Sequence, residues 1–311
     1  MVLALLLSCR SERPPTRNDL QSAPPTPPPA AKDFAAPGES EIHGRFGPAP
    51  KGAVKQWSMG ADHACALMDD GALECWSDAR PTFPLSALPA GNYRSVQVGV
   101  FSTCGLRTDG TALCVGSSLV TTPPGDQIVE LCHAVAPCVI RSDGTAACFE
   151  EGQTLSLGRV RPGSLACGAA WSCALALDGT PRCVVIDRVL AFGNEYAQPA
   201  AWKLPPGSFR RVFSGYQHGC ALRMDQSAIC WGRDTSGETR PPPGAFATLA
   251  LGEKLSCGLR PRGSVECWGS EPGPPHAGPY VELDVTKDRD ALNSVCAVRP
   301  DRRVECWDYG H

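Results

Sequence analysis

The sequence lacks any apolar run long enough to form a membrane-spanning helix. It also lacks a dominant charge. Its 29 Lys and Arg face 32 Asp and Glu, leaving −3 overall, so no strong field directs it to nucleic acid or an anionic membrane. No Gly-x-Ser-x-Gly elbow, His-Glu-x-x-His helix, phosphate loop or dinucleotide turn is present. With no acid–base constellation to name, neither a catalytic site nor a cofactor is expected. The chain does have 32 Gly and 30 Pro, turn formers that suit many short strands better than long helices.

Seventeen cysteines dominate what is present. Fourteen form seven pairs ten positions apart: Cys65 and Cys75, Cys104 and Cys114, Cys138 and Cys148, Cys173 and Cys183, Cys220 and Cys230, Cys257 and Cys267, Cys296 and Cys306. Chance placement would give about one such pair. The first cysteines advance by 39, 34, 35, 47, 37 and 39 residues, close to the length of a four-stranded propeller blade. A turn sits midway in each pair: Asp70-Gly71, Asp109-Gly110, Asp143-Gly144, Asp178-Gly179 and Arg262-Gly263, with Asp225-Gln226 and Asp301-Arg302 lacking the Gly. Folding about that turn sets the two cysteines opposite each other on adjacent strands, near enough to bridge. The expected fold is all-β, a seven-bladed β-propeller with one disulfide hairpin per blade.

The remaining strands follow. Short apolar segments ending in Gly, such as Ser95–Val98 and Thr248–Leu251, precede the hairpins and read as strand A; the hairpin supplies B and C. Pro/Gly linkers such as Pro205-Pro206-Gly207 come before A, so a strand D is expected between C and the linker. In the third repeat His133 stands where counting back from the cysteine puts the turn Gly. Only five residues follow Cys306, so residues 41 to 47 are expected to supply the last strand D and close the ring.

These repeats resemble the regulator-of-chromosome-condensation repeat family, whose blade runs Gly-x-x-His, apolar strand, Asp-Gly, second strand, Trp-Gly. Gly60-Ala61-Asp62-His63 leads to Asp70-Gly71 and Trp76; Gly215-Tyr216-Gln217-His218 leads to Cys230-Trp231-Gly232; Cys267-Trp268-Gly269 ends the sixth repeat. Val115, Phe149 and Val184 replace the Trp in repeats two to four. The resemblance covers residues 41–311 and implies a seven-bladed propeller that binds protein; it implies no single activity. His63 and His218 are expected to be buried rings bonding nearby backbone, and the tryptophans to pack between blades.

Cysteine pairs at this density imply an oxidising compartment. Leu3 to Ser8 before Cys9 resembles a bacterial lipoprotein signal, with Cys9 as the lipid acceptor. The stretch is short and lacks a basic region, which places the expected true start upstream. Residues 10–40, centred on Pro24-Pro25-Thr26-Pro27-Pro28-Pro29, cannot build a core and read as an extended tether. The expected product is a monomer in the bacterial envelope, touching the membrane only through its lipid.

Zinc is disfavoured, because nine residues separate paired cysteines where structural zinc sites use two to four. Asp284 to Asp290 lacks the spacing of a calcium loop and reads as a solvated loop. Cys132 and Cys167 remain, either bridging two blades or buried as free thiols. The B–C turns are uniform in length, whereas insertions near Lys287–Ala291 and between Ile186 and Trp202 fall on the opposite face. Uniform turns read as scaffold and variable loops as binding surface. Phe101, Phe192, Tyr196, Trp202 and Tyr216 are therefore the candidate contacts for a protein or peptide partner. A carbohydrate-binding propeller is the alternative, although a lectin would repeat the same ligands in each blade.

Overall fold

The computed structural model describes residues 54–61, 63–77, 88–100, 102–116, 120–186, 203–285, 293–302 and 304–309. The expectations for Cys9, the 10–40 tether, the closing segment 41–47 and the 287–291 insertion concern residues outside that set or largely so. Among the described residues there are 22 strands in seven antiparallel sheets and no helix.

Sheet 1 is Val54–Met59, His63–Met68 and Leu73–Ser77; sheet 2 is Tyr93–Val98, Ser102–Arg107 and Ala112–Gly116. Sheet 3 has four strands, Ile128–His133, Pro137–Arg141, Thr145–Glu150 and Gln153–Arg159. Sheet 4 is Ala166–Cys167, Trp171–Leu175 and Pro181–Val185; sheet 5 is Arg211–Ser214, His218–Leu222 and Ala228–Gly232. Sheet 6 is Thr248–Leu251, Leu255–Leu259 and Val265–Gly269; sheet 7 is Glu282–Val285, Asn293–Val298 and Val304–Tyr309. Each runs in the order A, B, C.

Each paired cysteine faces its partner across strands B and C, with Cα atoms 3.9–4.1 Å apart and the bridge formed. In the first five hairpins an Asp carboxylate caps the turn. Oδ1 of Asp109, Asp143 and Asp178 accepts the backbone N–H and the hydroxyl of the Thr two residues on, at 2.6–2.9 Å. The hydroxyl bond, then the backbone bond, holds these three carboxyls below their ordinary range. Gly71, Gly110, Gly144, Gly179 and Gly263 follow with φ of 83–87°. Gln226 and Arg302 adopt the same left-handed geometry, φ 68° and 69°, without being Gly.

Seven apolar clusters lie between successive sheets. Cys65, Leu67, Val96 and Val98 join sheets 1 and 2, and Trp171, Val212 and Trp231 join sheets 4 and 5. The last, Met59, Ala64 and Cys296, joins sheet 7 back to sheet 1, and Arg302 reaches Asp69 across the same seam at 3.3 Å. A circular succession of packed sheets is a propeller. Trp231 and Trp268 are buried between sheets as expected, Trp231 edge-on to Trp171 at 5.9 Å.

Strand D is where the architecture departs from expectation. Among the described residues only sheet 3 has one. In sheet 6 it shrinks to a bridge between Val265 and His276. In sheet 5 a loop replaces it. The buried Glu238 holds that loop by accepting from Thr235 and Ser236, and its carbonyl accepts the Trp268 indole N–H at 2.9 Å.

The third repeat also corrects the sequence alignment. His133 pairs with Pro137, the residue before Cys138, just as Val98 pairs with Thr103 before Cys104. The A–B turn of sheet 3 is thus one residue shorter than its counterparts, and Ala134, not His133, holds the glycine position. Deletion of one residue flips side chains to the other face of a strand. Cys132 therefore points toward sheet 4, while Cys167, paired with Ser172 one place before Cys173, points back toward sheet 3. They are bridged, with Cα atoms 5.8 Å apart.

Candidate interaction surface and central channel

The A strands carry an inter-sheet ladder of side chains. The Gln56 amide donates to Val96 O and accepts from Val96 N, both at 2.7 Å, so one side chain pairs with the next strand's backbone. Ser58 Oγ accepts Val98 N at 2.9 Å. Arg94 reaches Ile128 O. Glu130 accepts Gly163 N and Leu165 N at 2.7 and 3.1 Å, and burial pushes its carboxyl above the ordinary range against those two bonds.

The A–B turns stack just as closely. A Cβ on Gly60, Gly99, Gly168 or Gly215 would stand 2.2–2.8 Å from the carbonyl oxygen at the same position of the next sheet. Glycine there is a requirement of approach, which explains its recurrence in the sequence. Beside these turns, His63 Nε2 meets Thr103 Oγ1 at 2.7 Å and His218 Nε2 meets Ser256 Oγ at 2.7 Å. The repeat histidines are buried, as expected, and each also latches a hydroxyl of the next sheet. In sheet 4 Trp171 takes the histidine's place and donates its indole N–H to His218 O at 3.3 Å. His133, displaced by the short turn, reaches back to Ser102 Oγ at 2.6 Å.

Tyr216 lies in the A–B turn of sheet 5, half-buried. It packs against the core between sheets 3 and 4, and its backbone N–H bonds Gly252 O at 2.9 Å. Its ring and backbone therefore take part in the scaffold. Phe101, Phe192, Tyr196 and Trp202 lie outside the described residues.

The A strands enclose a central cavity of about 310 Å³ lined by Gln97, Cys132, Cys167, Arg211, Phe213 and Asp284, among others. Arg211 opens into it, with its guanidinium 5.1 Å from the centre of the Phe213 ring and 3.4 Å from Thr248 Oγ1. Desolvation by the surrounding wall, with repulsion from Arg210, lowers its pKa, and attraction to Glu130 opposes this; the group stays charged at neutral pH. Arg211 and Asp284 place opposite charges on the cavity wall, beside the polar Gln97, His133 and Ser214. Arg211 follows Arg210 at a strand edge and carries no sequence signal of its own.

No family model and no curated protein matches this sequence. Solved structures do. The ectodomain of the receptor kinase CR4 from Physcomitrella patens matches with a TM-score of 0.67 at 22% identity, over 82% of this chain and 73% of that one. The CRINKLY WD40 ectodomain of the Arabidopsis thaliana receptor kinase ACR4 matches at 0.63 and 19% identity, over 82% and 95%. Yeast RCC1 (Prp20), solved bound to Kap60, matches at 0.54 and 14%, over 70% of each chain. The fold is an RCC1-like β-propeller. Eight disulfides in such a chain mark an oxidising, extracytoplasmic setting.

Proposed function

We propose that this RCC1-like propeller is a non-enzymatic protein-binding module of the bacterial envelope, anchored by a lipid on Cys9 and spaced from the membrane by residues 10–40. The supporting observation is the contrast between its two faces. On the B–C side one turn geometry recurs, with Asp70, Asp109, Asp143, Asp178 and Asp225 each capping the residue two positions on. On the A–B and C–D side the repeats differ in length and carry aromatic residues, Tyr216 among the described ones. Rigid repetition beneath variable aromatic loops suits recognition of a protein or peptide. Protein binding is also recorded for a structural neighbour, yeast RCC1 with Kap60.

The test has two arms. Crosslinking in the native envelope, followed by affinity capture, should recover one protein with the wild-type chain. Replacing Tyr196, Trp202 and Tyr216 with Ala should weaken that recovery, while Asp109→Ala and Asp178→Ala should not. Loss from the Asp turns alone would reverse the face assignment; binding to a glycan array without a protein partner would replace the reading with a lectin. For the anchor, Cys9→Ser should move the protein from the membrane to the soluble fraction, and unmodified Cys9 in native material would refute lipidation.

A further inference from the structure

Sheet 3 holds three cysteines in one row. Cys132 on strand A pairs with Cys138 on strand B, and Cys138 pairs with Cys148 on strand C. Cross-strand partners point to the same face of a sheet, so both outer sulfurs flank Cys138 from equivalent positions. In the other sheets the residue opposite the first cysteine is Ser58, Gln97, Ala166, Phe213, Ala250 or Asp284, and no such choice exists. The sulfurs of Cys132, Cys138 and Cys167 all lie within 4.8 Å of one another. Cys132 is half-buried, and it and Cys167 line the central cavity, whereas Cys138 and Cys148 are fully buried.

We propose that Cys132, Cys138, Cys148 and Cys167 form a thiol–disulfide exchange site that takes its electrons from a small dithiol entering the central channel. The dithiol's thiolate attacks Cys167 Sγ. The Cys132–Cys167 bond breaks and Cys132 leaves as a thiolate. The second thiol of the reductant then resolves the mixed disulfide, releasing the reductant as a cyclic disulfide and Cys167 as a thiol. The Cys132 thiolate next attacks Cys138 Sγ; the Cys138–Cys148 bond breaks, and Cys148 leaves as a thiolate that takes a proton from water. Two electrons and two protons have passed from the dithiol to the protein. The products are a Cys132–Cys138 bridge with Cys148 and Cys167 as thiols. Exchange of this kind proceeds by thiolate attack on a disulfide sulfur and needs access and proximity; the cavity wall, lined by Cys132 and Cys167, gives the access, and the sulfur cluster gives the proximity. Sheet 3 thereby keeps one internal bridge, moved from strands B and C to strands A and B, and the covalent tie between sheets 3 and 4 is lost.

Cys167→Ser isolates the second step, because it leaves Cys132 as a thiol in otherwise oxidised protein and the exchange then needs no reductant. The variant, made as the full chain in an oxidising compartment, is alkylated under native conditions at mildly alkaline pH and mapped without reduction. Label is expected on both Cys132 and Cys148, with Cys148 at about a tenth of the Cys132 level or more, as befits a populated minor state, and none on Cys220 or Cys230. Label on Cys132 alone overturns the proposal. Wild-type protein titrated with dithiothreitol supplies a readout independent of the variant's folding. A Cys132–Cys138 linked peptide, with alkylated Cys148 and Cys167, should appear before any other hairpin opens. Its absence at every concentration, or simultaneous opening of all eight bridges, refutes the site.

Discussion

His218 of sheet 5 donates its Nε2 proton to Ser256 Oγ of sheet 6. A hydroxyl has one proton, and Ser256 gives its own to the Glu238 carbonyl at 2.9 Å, so at 2.7 Å it can only accept from the ring. Burial, which lowers the ring's pKa to about 4, keeps the imidazole neutral at neutral pH. Both side chains are completely buried, and the chain of bonds ties the loop that replaces strand D in sheet 5 to strand B of sheet 6. A ring charged in that setting would lose its hydration, and attraction to Glu238 and Asp234 would offset only part of that loss.

Stability should therefore fall as acid is added. Burial lowers the His218 pKa to about 4, against partial compensation from Glu238 and Asp234, while the unfolded ring titrates near 6.5. Between those values the unfolded chain binds a proton that the folded chain refuses. The contribution is complete above pH ~6.5 and lost as pH falls toward ~4, amounting to about 3 kcal/mol. Urea midpoints measured from pH 4 to 7 should show this slope in wild type. His218→Leu, which cannot titrate, should start less stable at neutral pH and show a shallower slope. An identical slope in the variant would assign the acid sensitivity elsewhere.

Gly99 should tolerate nothing larger. A Cβ there would lie 2.2 Å from Ala134 O and 2.4 Å from His133 Nε2. Neither can withdraw easily, since Ala134 O accepts Val100 N and His133 is fixed on Ser102. Gly99→Ala should cost about 2–3 kcal/mol through forced separation of sheets 2 and 3. Gly91→Ala, on an exposed segment where the nearest atom is 3.4 Å away, should stay within about 0.5 kcal/mol of wild type. Chemical denaturation of the pair checks the contrast.

Much of this fold was legible because covalent and turn chemistry repeat at fixed spacing. The ten-residue cysteine interval encodes a two-strand register, and the Asp-x turn encodes its midpoint. Cys132 and Cys167 were legible only as two alternatives, a bridge between blades or buried free thiols. Counting back from Cys138 and Cys173 gives both the same position, facing the same way around the ring, and only the one-residue deletion in the A–B turn of sheet 3 sets them face to face. The deletion shows in the sequence only as His133 at the turn-Gly position, which reads equally well as a substitution. Strand D was obscure for a related reason: in sheets 5 and 6 its place is held by side-chain bonds from Glu238 and a single bridge at His276, which have no strand signature. The repeat histidines were recognisable, but their partners lie 38 to 40 residues away, beyond any local pattern.

Gln226 offers a gain. It occupies the turn position that is Gly in five of the hairpins and has φ of 68°. A side chain in that region costs about 1–2 kcal/mol, of which glycine's extra flexibility in the unfolded chain gives back part. Gln226→Gly should raise stability by roughly 0.5–1 kcal/mol, leaving the Asp225 cap on Ser227 intact. A thermal melt that moves downward would mean the Gln side chain contributes more than its backbone costs.

The two classes of bridge should differ in worth. Cys220–Cys230 closes a separation of 10 residues, and Cys132–Cys167 one of 35. In the chain-entropy description, a bridge stabilises by restricting the unfolded state, with a contribution that grows with the logarithm of loop length. Replacing both members of Cys220–Cys230 with Ala should cost about 2–3 kcal/mol. The same change at Cys132 and Cys167 should cost about 1 kcal/mol more, because the longer unfolded loop regains more freedom. The native state pushes the same way: strands B and C of sheet 5 remain hydrogen-bonded without their bridge, whereas the short strand A of sheet 4 loses its covalent hold on sheet 3. Double variants are needed at both sites, since a single substitution leaves a thiol free to exchange. If denaturant midpoints show the short hairpin bridge to be worth more than the inter-sheet one, packing of the disulfide sulfurs, and not chain entropy, sets the stability of this propeller.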